Sequence, residues 1–141
     1  GLCYAGRAMA TNVPTLLIEG YSADELLRMP AEELEAFAFT GEALILRVGS
    51  GELLGRFRRL PDRLEVELAQ VDRGGEGILL ALWRLARQLA SARGLTQVEW
   101  IVHAVHCARP NLKLRRVLER RGFVVRELPG RGSAYHFIDT V

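Results

Sequence analysis

The segment from Leu64 to Phe123 constrains the fold of this chain more than any other part. It opens with an alternating apolar stretch, Leu64 to Val71, whose period of two predicts a strand. A glycine-rich turn over residues 72–77 and a long apolar helix, Ile78 to Ala92, follow it. Val98 to Val105 then predicts a second strand. A strand, a helix and a strand in this order predict two parallel neighbours joined by a right-handed crossover.

The glycine-rich turn reads Asp72-Arg73-Gly74-Gly75-Glu76-Gly77 and precedes the helix directly. The first N–H groups of a helix lack partners and carry the positive end of the helix dipole, so they bind anions. Glycines let a ligand approach such a backbone closely. The turn therefore predicts a phosphate site. The alternative is a flexible turn that only begins a helix.

The remaining elements complete a mixed sheet. A Ser22–Glu25 capping box predicts the start of the first helix, and Ala31 to Phe39 predicts the second. The other predicted strands and the last helix are Thr15 to Gly20, Ala43 to Val48, Leu53 to Arg59, Phe123 to Leu128, Ala134 to Ile138 and, for the helix, Asn111 to Arg121. We expect an α/β (α+β) fold with a splayed sheet of six to seven strands flanked by four helices. Its parallel strands should diverge beyond Leu68 and Val102.

Length and composition indicate one domain in a reducing environment. The 141 residues, 49% of them hydrophobic, contain no linker-like stretch. We expect a flexible segment over residues 1–12 and one domain over 13–141. No apolar run is long enough to span a bilayer, and two cysteines favour a cytoplasmic location over a disulfide framework. His103, His106 and Cys107 lack a nearby fourth ligand, so we predict no metal site.

The charges are unevenly distributed although the net charge is only +2. Residues 19–42 carry seven acidic residues and one arginine, whereas residues 109–131 carry seven arginines and one lysine against two glutamates. The basic segment is open to three interpretations: a solvated helix face, a surface for an anionic ligand, or a nucleic-acid interface. Aromatic residues are sparse there, which argues against a single-strand binder.

The last helix has the pattern Asn-x-x-Leu-x-x-Val-Leu-x-x-x-Gly-Phe from Asn111 to Phe123. This pattern resembles the last conserved segment of the GCN5-related N-acetyltransferase (GNAT) superfamily. The glycine turn resembles its cofactor loop, and Gly51 to Gly55 resembles its second-to-third-strand turn. The predicted order of strands and helices is similar to that of the superfamily from end to end.

The resemblance implies that the chain uses acetyl-CoA and no metal. In the family, a loop Gln/Arg-x-x-Gly-x-Gly/Ala holds the pyrophosphate; here Asp72 stands at its opening position, with Gly75 and Gly77 as its glycines. The resemblance thus assigns cofactor binding to a set of residues along the fourth strand, the turn and the last helix: Leu68, Arg73, Gly74, Gly75, Gly77, Ile78 and Asn111. Asn111 is equally well explained as a helix N-cap, and Glu76 would repel the phosphates.

Glu67 is the first candidate for a general base, because it lies on the fourth strand close to the glycine turn. The alternative is that Glu65 and Glu67 form an ordinary solvent-facing pair. The tyrosine that the family uses as general acid is replaced by Leu118. His103 is therefore our second catalytic candidate. Four further residues could also substitute for the missing acid: His106, Cys107, Tyr135 and His136.

These features predict an acetyl-CoA-dependent N-acetyltransferase acting on a small-molecule or peptide amine. The acidic first helices would suit a cationic acceptor if they flank the pocket. The alternative is a non-catalytic binding or regulatory module of the same fold, which the departures at Asp72, Glu76 and Leu118 favour. A nucleic-acid-binding domain is the third reading. We expect no membrane partner and leave a homodimer open.

Overall fold

The computed structural model of the chain describes residues 15–69, 75–106 and 111–141, which contain eight strands and four helices. The strands are β1 (Leu16–Ile18), β2 (Tyr21–Ser22), β3 (Leu44–Val48), β4 (Gly51–Arg59), β5 (Arg63–Ala69), β6 (Gln97–Val102), β7 (Val124–Leu128) and β8 (Gly132–Thr140). The helices are α1 (Ala23–Arg28), α2 (Ala31–Ala38), α3 (Gly75–Ala92) and α4 (Leu112–Arg120). The predicted flexible segment, residues 1–12, lies outside the described residues.

The strands form one sheet in the order β2-β1-β3-β4-β5-β6-β8-β7. β5 and β6 pair in parallel across the α3 crossover, and the other neighbouring pairs are antiparallel. The predicted mixed α+β fold is therefore confirmed. We expected six to seven strands, and the sheet has eight. The strand that we missed is β2, whose two residues are too few to show an alternation of apolar and polar side chains.

The parallel ladder ends at the pair Leu68–Val102. One residue further, the backbone N–H of His103 donates to the Leu68 carbonyl at 2.9 Å. The chain then turns, since the Ala104 N–H donates to the Val102 carbonyl at 3.0 Å. β6 consequently stops at Val102 and does not reach the predicted Val105. The last pair of the ladder is the pair beyond which we expected the strands to diverge.

The main hydrophobic cluster lies on one face of the sheet. Alternate positions of β1, β3, β4, β5, β6 and β8, such as Leu64, Val66 and Trp100, join residues of all four helices in this cluster, and neither β2 nor β7 contributes a buried residue. The predicted apolar face of β5 is thereby confirmed. The opposite face carries Glu65, Glu67 and Glu99, and we call it the charged face. Glu65 is nonetheless only 4% exposed, so the reading of Glu65 and Glu67 as a solvent-facing pair is wrong for Glu65.

Two helices begin where their side chains predict. The Ser22 hydroxyl accepts from the Glu25 N–H at 3.2 Å, and the Glu25 carboxylate accepts from the Ser22 N–H at 3.0 Å, which completes the capping box. The Asn111 side-chain oxygen accepts from the Leu114 N–H at 3.0 Å and begins α4. These caps satisfy N–H groups that the first turn of a helix leaves unpaired.

The segment from Gly51 to Gly55, which resembles a turn in the sequence, lies wholly inside β4, and the turn itself is at residues 49–50. Gly55 serves close packing. A Cβ built on it would lie 2.9 Å from Leu46 Cδ1 and 3.4 Å from Leu68 Cδ2. Both leucines are buried in the core, so neither can move aside cheaply.

Substitution of Gly55 by Ala should therefore lower the free energy of unfolding by about 1–3 kcal/mol, the usual cost of overpacking a core. Gly77→Ala is the matched control, because nothing lies within 4 Å of its added Cβ. Alanine inside a helix should there stabilise the protein by roughly 0.5–1 kcal/mol. Chemical denaturation of both variants checks the pair. Equal effects of the two substitutions would contradict the tight packing at Gly55.

Candidate active site

A pocket of about 190 Å³ opens on the charged face beside the end of β5. Its walls combine three apolar residues, Ala43, Leu54 and Ala69, with three polar ones, Arg56, Glu67 and His103. In the β4–β5 ladder Arg56 lies opposite Glu67 and Leu54 lies opposite Ala69. The sheet register therefore assembles most of the pocket from residues that are neighbours across two strands.

The two predicted catalytic residues meet in this pocket. His103 Nε2 lies 2.6 Å from Glu67 Oε2, and both side chains are mostly buried. Glu67 is the last charged-face residue before the end of the parallel ladder, and His103 is the first residue after it. An imidazole and a carboxylate at hydrogen-bond distance can share a proton and accept another from a bound substrate. The arrangement is competent for general base chemistry.

Two arginines hold the neighbouring carboxylate, Glu65. Arg131, from the turn between β7 and β8, donates to Glu65 at 2.7 Å, and its guanidinium lies 3.6 Å from Glu67. Arg58 of β4 lies 3.2 Å from Glu65 on its other side. The hydrogen bond that Arg131 donates to Glu65 raises the pKa of Arg131, so this guanidinium stays charged. Arg131 thus supports Glu67 from the side opposite its histidine partner.

A second ionic cluster lies further along the charged face. Glu99 of β6 accepts from Arg63 at 2.8 Å and lies 2.8 Å from His136 Nε2. Burial acts to raise the pKa of Glu99, but the hydrogen bonds from His136 and Arg63 outweigh it, and the pKa lies below its ordinary value of 4.5. His136, one of the candidate acids, is therefore bound to Glu99 and belongs to this cluster.

Tyr135, another candidate acid, lies on the opposite face of the sheet from Glu67. Tyr135 is on the core face, where its hydroxyl donates to Glu119 of α4 at 3.3 Å. Burial, and then the charge and hydrogen bond of Glu119, raise the pKa of Tyr135. Leu118, at the position where the resemblance led us to look for a tyrosine, is fully buried. His106 is exposed beyond the end of β6, and Cys107 lies outside the described residues.

Only some of the predicted cofactor residues lie in the part of the chain that the structure describes. Leu68 is buried at the end of β5, and its carbonyl accepts a hydrogen bond from the His103 N–H. The helix begins at Gly75, three residues before the predicted Ile78; Ile78 is fully buried and Gly77 is exposed. Arg73 and Gly74 lie outside the described residues. Asn111 caps α4, so its capping role is confirmed, while its cofactor contact stays a prediction.

We expected the acidic helices to flank the pocket, but the charged residues of α2 and α4 have other partners. The carboxylate of Glu35 in α2 binds Arg59 at 2.9 Å, and Arg59 pairs with Leu64 at the opposite end of β5 from Glu67. Acidic α2 therefore does not flank the pocket. Arg115 of α4 donates to the carbonyls of Ala104 and Val105 at 2.9 and 2.8 Å, which holds the chain that follows His103.

Sequence reasoning missed Arg56, Arg58 and Arg131 as parts of this region. The period of β4 could have placed Arg56 and Arg58 on the face opposite Phe57. No local signal could have placed Arg131, because its contact with Glu65 joins residues 66 positions apart. Within residues 15–69, 75–106 and 111–141, no group of three His, Cys, Asp or Glu side chains is arranged to hold a metal ion. No described helix is long and apolar enough to cross a membrane.

No protein-family model and no curated protein sequence matches the chain. Solved structures do resemble it. Ard1 from Thermoplasma volcanium is 15% identical, with 92% of this chain and 98% of that chain covered and a TM-score of 0.43. An acetyltransferase from Thermus thermophilus is 16% identical, with 92% and 99% covered and a TM-score of 0.44. A GNAT family acetyltransferase from Listeria monocytogenes is 15% identical, with 70% and 64% covered and a TM-score of 0.35.

The Glu99 cluster predicts how stability depends on pH. Because its folded-state pKa lies below 4.5, ionised Glu99 stabilises the fold above the unfolded-state pKa, and this contribution is lost as pH falls through the folded-state value. The difference in unfolding free energy between the parent protein and Glu99→Gln should therefore shrink between about pH 5 and about pH 3. Denaturation series at several pH values measure it. A difference that grows on acidification would contradict the assignment.

Proposed function

We propose that this protein is an acetyl-CoA-dependent N-acetyltransferase that acts on an amine. The observation that carries the proposal is the Glu67–His103 pair, 2.6 Å apart, at the point where the parallel strands β5 and β6 stop pairing. The N-terminus of α3 follows β5 after residues 70–74. A proton acceptor and an anion-binding helix start thus lie next to one another along the chain.

Acetyl transfer to an amine makes one demand that this pair can meet. The amine must lose a proton before or during its attack on the thioester carbonyl, and a carboxylate–imidazole pair can accept that proton directly or through a water. Arg131, 3.6 Å from Glu67, places a positive charge beside this carboxylate. The leaving thiolate needs less help, because a thiolate is a fair leaving group.

Acetyl-CoA, if bound, would supply the acetyl group, and the first turn of α3 would hold its pyrophosphate. The backbone N–H groups of Gly75, Gly77 and Ile78 belong to that turn, and Gly77 is exposed with open space around it. The proposal also includes cofactor contacts of Arg73 and Gly74, in the preceding turn, and of Leu68 and Asn111. A cytoplasmic location stays a prediction from the two cysteines, and a homodimer stays open.

The second candidate is a non-catalytic module of the same fold. The specific observation that favours it is Leu118, which is fully buried in the core where the family has its proton-donating tyrosine. Tyr135 does not replace that tyrosine beside Glu67, since its hydroxyl is bound to Glu119. A nucleic-acid interface is supported less, because Arg115 is bound to backbone carbonyls and Arg121 lies over the Trp83 ring at 5.1 Å.

Substitution of Glu67 by Gln should lower turnover by on the order of 10²–10⁴ and leave the affinity for acetyl-CoA unchanged. The loss should shrink at high pH, where the acceptor amine is already neutral. Release of free CoA thiol with a panel of amines measures turnover, and calorimetric titration measures the affinity. Glu52→Gln is the control, because the Glu52–Arg47 pair is exposed and lies outside the pocket. Acetyl-CoA binding without turnover on any amine would favour the non-catalytic module.

Glu76 lies in the first turn of α3, where a carboxylate repels phosphate. Glu76→Gly and Glu76→Lys should therefore both tighten the binding of acetyl-CoA, and the lysine variant should tighten it more. Calorimetric titration of the three proteins gives the order of affinities. Unchanged affinity in both variants would show that Glu76 does not face the phosphates, and the assignment of the loop would be wrong.

A further inference from the structure

We infer that the acceptor is a small amino carboxylate, whose carboxylate binds Arg56 while its amine lies at Glu67. This inference rests on the proposed function and names the substrate class of the same site. It replaces the expectation of a cationic acceptor, because the residues that line the pocket include none from the acidic helices α1 and α2.

Arg56 differs from the other arginines around it on β3, β4 and β5. Arg47, Arg58, Arg59 and Arg63 each have a carboxylate within 4.0 Å. Within the part of the chain that the structure describes, no carboxylate lies that close to the Arg56 guanidinium. Arg56 is also exposed and lines the pocket, so a ligand can reach it. A planar guanidinium without an acidic partner is suited to binding a carboxylate through two parallel hydrogen bonds.

The position of Glu67 explains why Arg56 lacks this partner. The two residues are directly opposite in the β4–β5 ladder, where side chains of opposite charge normally pair. Glu67 instead binds His103 at 2.6 Å and lies 3.6 Å from Arg131. The pocket therefore presents a cation and a proton acceptor side by side, and these are the complements of a carboxylate and an amine.

The size and walls of the pocket limit the rest of the acceptor. A volume of about 190 Å³ is below the roughly 300–1,000 Å³ typical of pockets for drug-sized ligands. Ala43, Leu54 and Ala69 offer an apolar surface for only a few carbon atoms. We therefore expect a short hydrocarbon link between the amine and the carboxylate. A peptide N-terminus would place no carboxylate near Arg56 unless its first side chain were acidic.

The reaction balances without a further reagent. The acceptor nitrogen forms a bond to the thioester carbonyl carbon, and the carbon–sulfur bond breaks. One amine proton passes to the Glu67–His103 pair, and the leaving thiolate takes up a proton to give free CoA. The acceptor carboxylate takes no part in bond making. Its role is to hold the amine against the base.

The test compares each amino carboxylate with its own carboxamide, which lacks the negative charge. Glycine, β-alanine and 4-aminobutyrate are assayed against their carboxamides, with release of CoA thiol as the readout. In the parent protein the best acid should exceed its own amide in kcat/KM by roughly tenfold, the effect of one charge-assisted bidentate pair. Arg56→Gln should bring this ratio close to one mainly through KM, and Arg56→Lys should retain part of it. Acidic dipeptides, with Asp or Glu first, test the peptide source.

Arg47→Gln is the matched control, because Arg47 is an exposed arginine of the same face, paired with Glu52 and outside this pocket. It should leave the acid-to-amide ratio unchanged. If the carboxamides are turned over as fast as the acids, or if Arg56→Gln leaves the acid-to-amide ratio of kcat/KM unchanged, the inference is wrong. The proposed function would still stand. A higher kcat/KM for the dipeptides than for the free acids would also overturn it.

Ligand-observed NMR of the same amino carboxylates without acetyl-CoA separates the two proposals. Binding that Arg56→Gln abolishes, in a protein that does not bind acetyl-CoA, would end the proposed function but support the ligand class. Absence of binding together with absence of turnover would overturn the inference. Folding of each variant is checked by its thermal unfolding midpoint, and Arg56 is exposed, so its replacement should leave that midpoint nearly unchanged.

Discussion

The parallel pairing of β5 with β6, and its end at Leu68–Val102, is the constraint on which the rest of the structure depends. A parallel pair requires a crossover, and α3 supplies it. The register of that pair brings Glu67 to the last charged-face position of one strand and His103 to the first residue beyond the other. The hydrogen bond of 2.6 Å between them follows from this register. A shift of one residue would turn Glu67 into the core.

The packing of all four helices into one cluster on one face has a direct chemical consequence. The other face of the sheet carries charged side chains that pair with one another, beside the buried apolar residues Ile101 and Ala134. Glu65 is buried there at 4% exposure, and such a carboxylate persists only because Arg58 and Arg131 both contact it. The same arginine, Arg131, reaches Glu67. One side chain, Arg131, thus stabilises the buried Glu65 and also contacts Glu67 of the candidate site. Arg56 is not part of this ionic network.

Much of the fold could be predicted from the chain, for identifiable reasons. The alternation in β5 and the long apolar stripe of α3 both come from burial of one face, so they are visible as periods. The caps at Ser22 and Asn111 are local, since each spans three residues. The two-residue β2 left no period. The end of β6 at Val102 was misplaced by three residues because the hydrophobic stretch continues past the point where pairing stops. Glu67 and His103 were found one at a time, as single residues with suitable chemistry.

The sequence by itself determined the order of the elements other than β2, the face that β5 buries, the starts of α1 and α4, and the two residue types able to move a proton. These are local or periodic properties, and each is decided within a few residues of chain. Only the tertiary structure decided which residues meet. The contacts Glu67–His103, Arg131–Glu65 and Arg87–Asp139 span 36, 66 and 52 residues, and they exist because the sheet register brings distant strands within hydrogen-bond reach. The position of Arg56 opposite Glu67 without an ion pair between them is a property of that register and of competing partners, which no stretch of sequence contains.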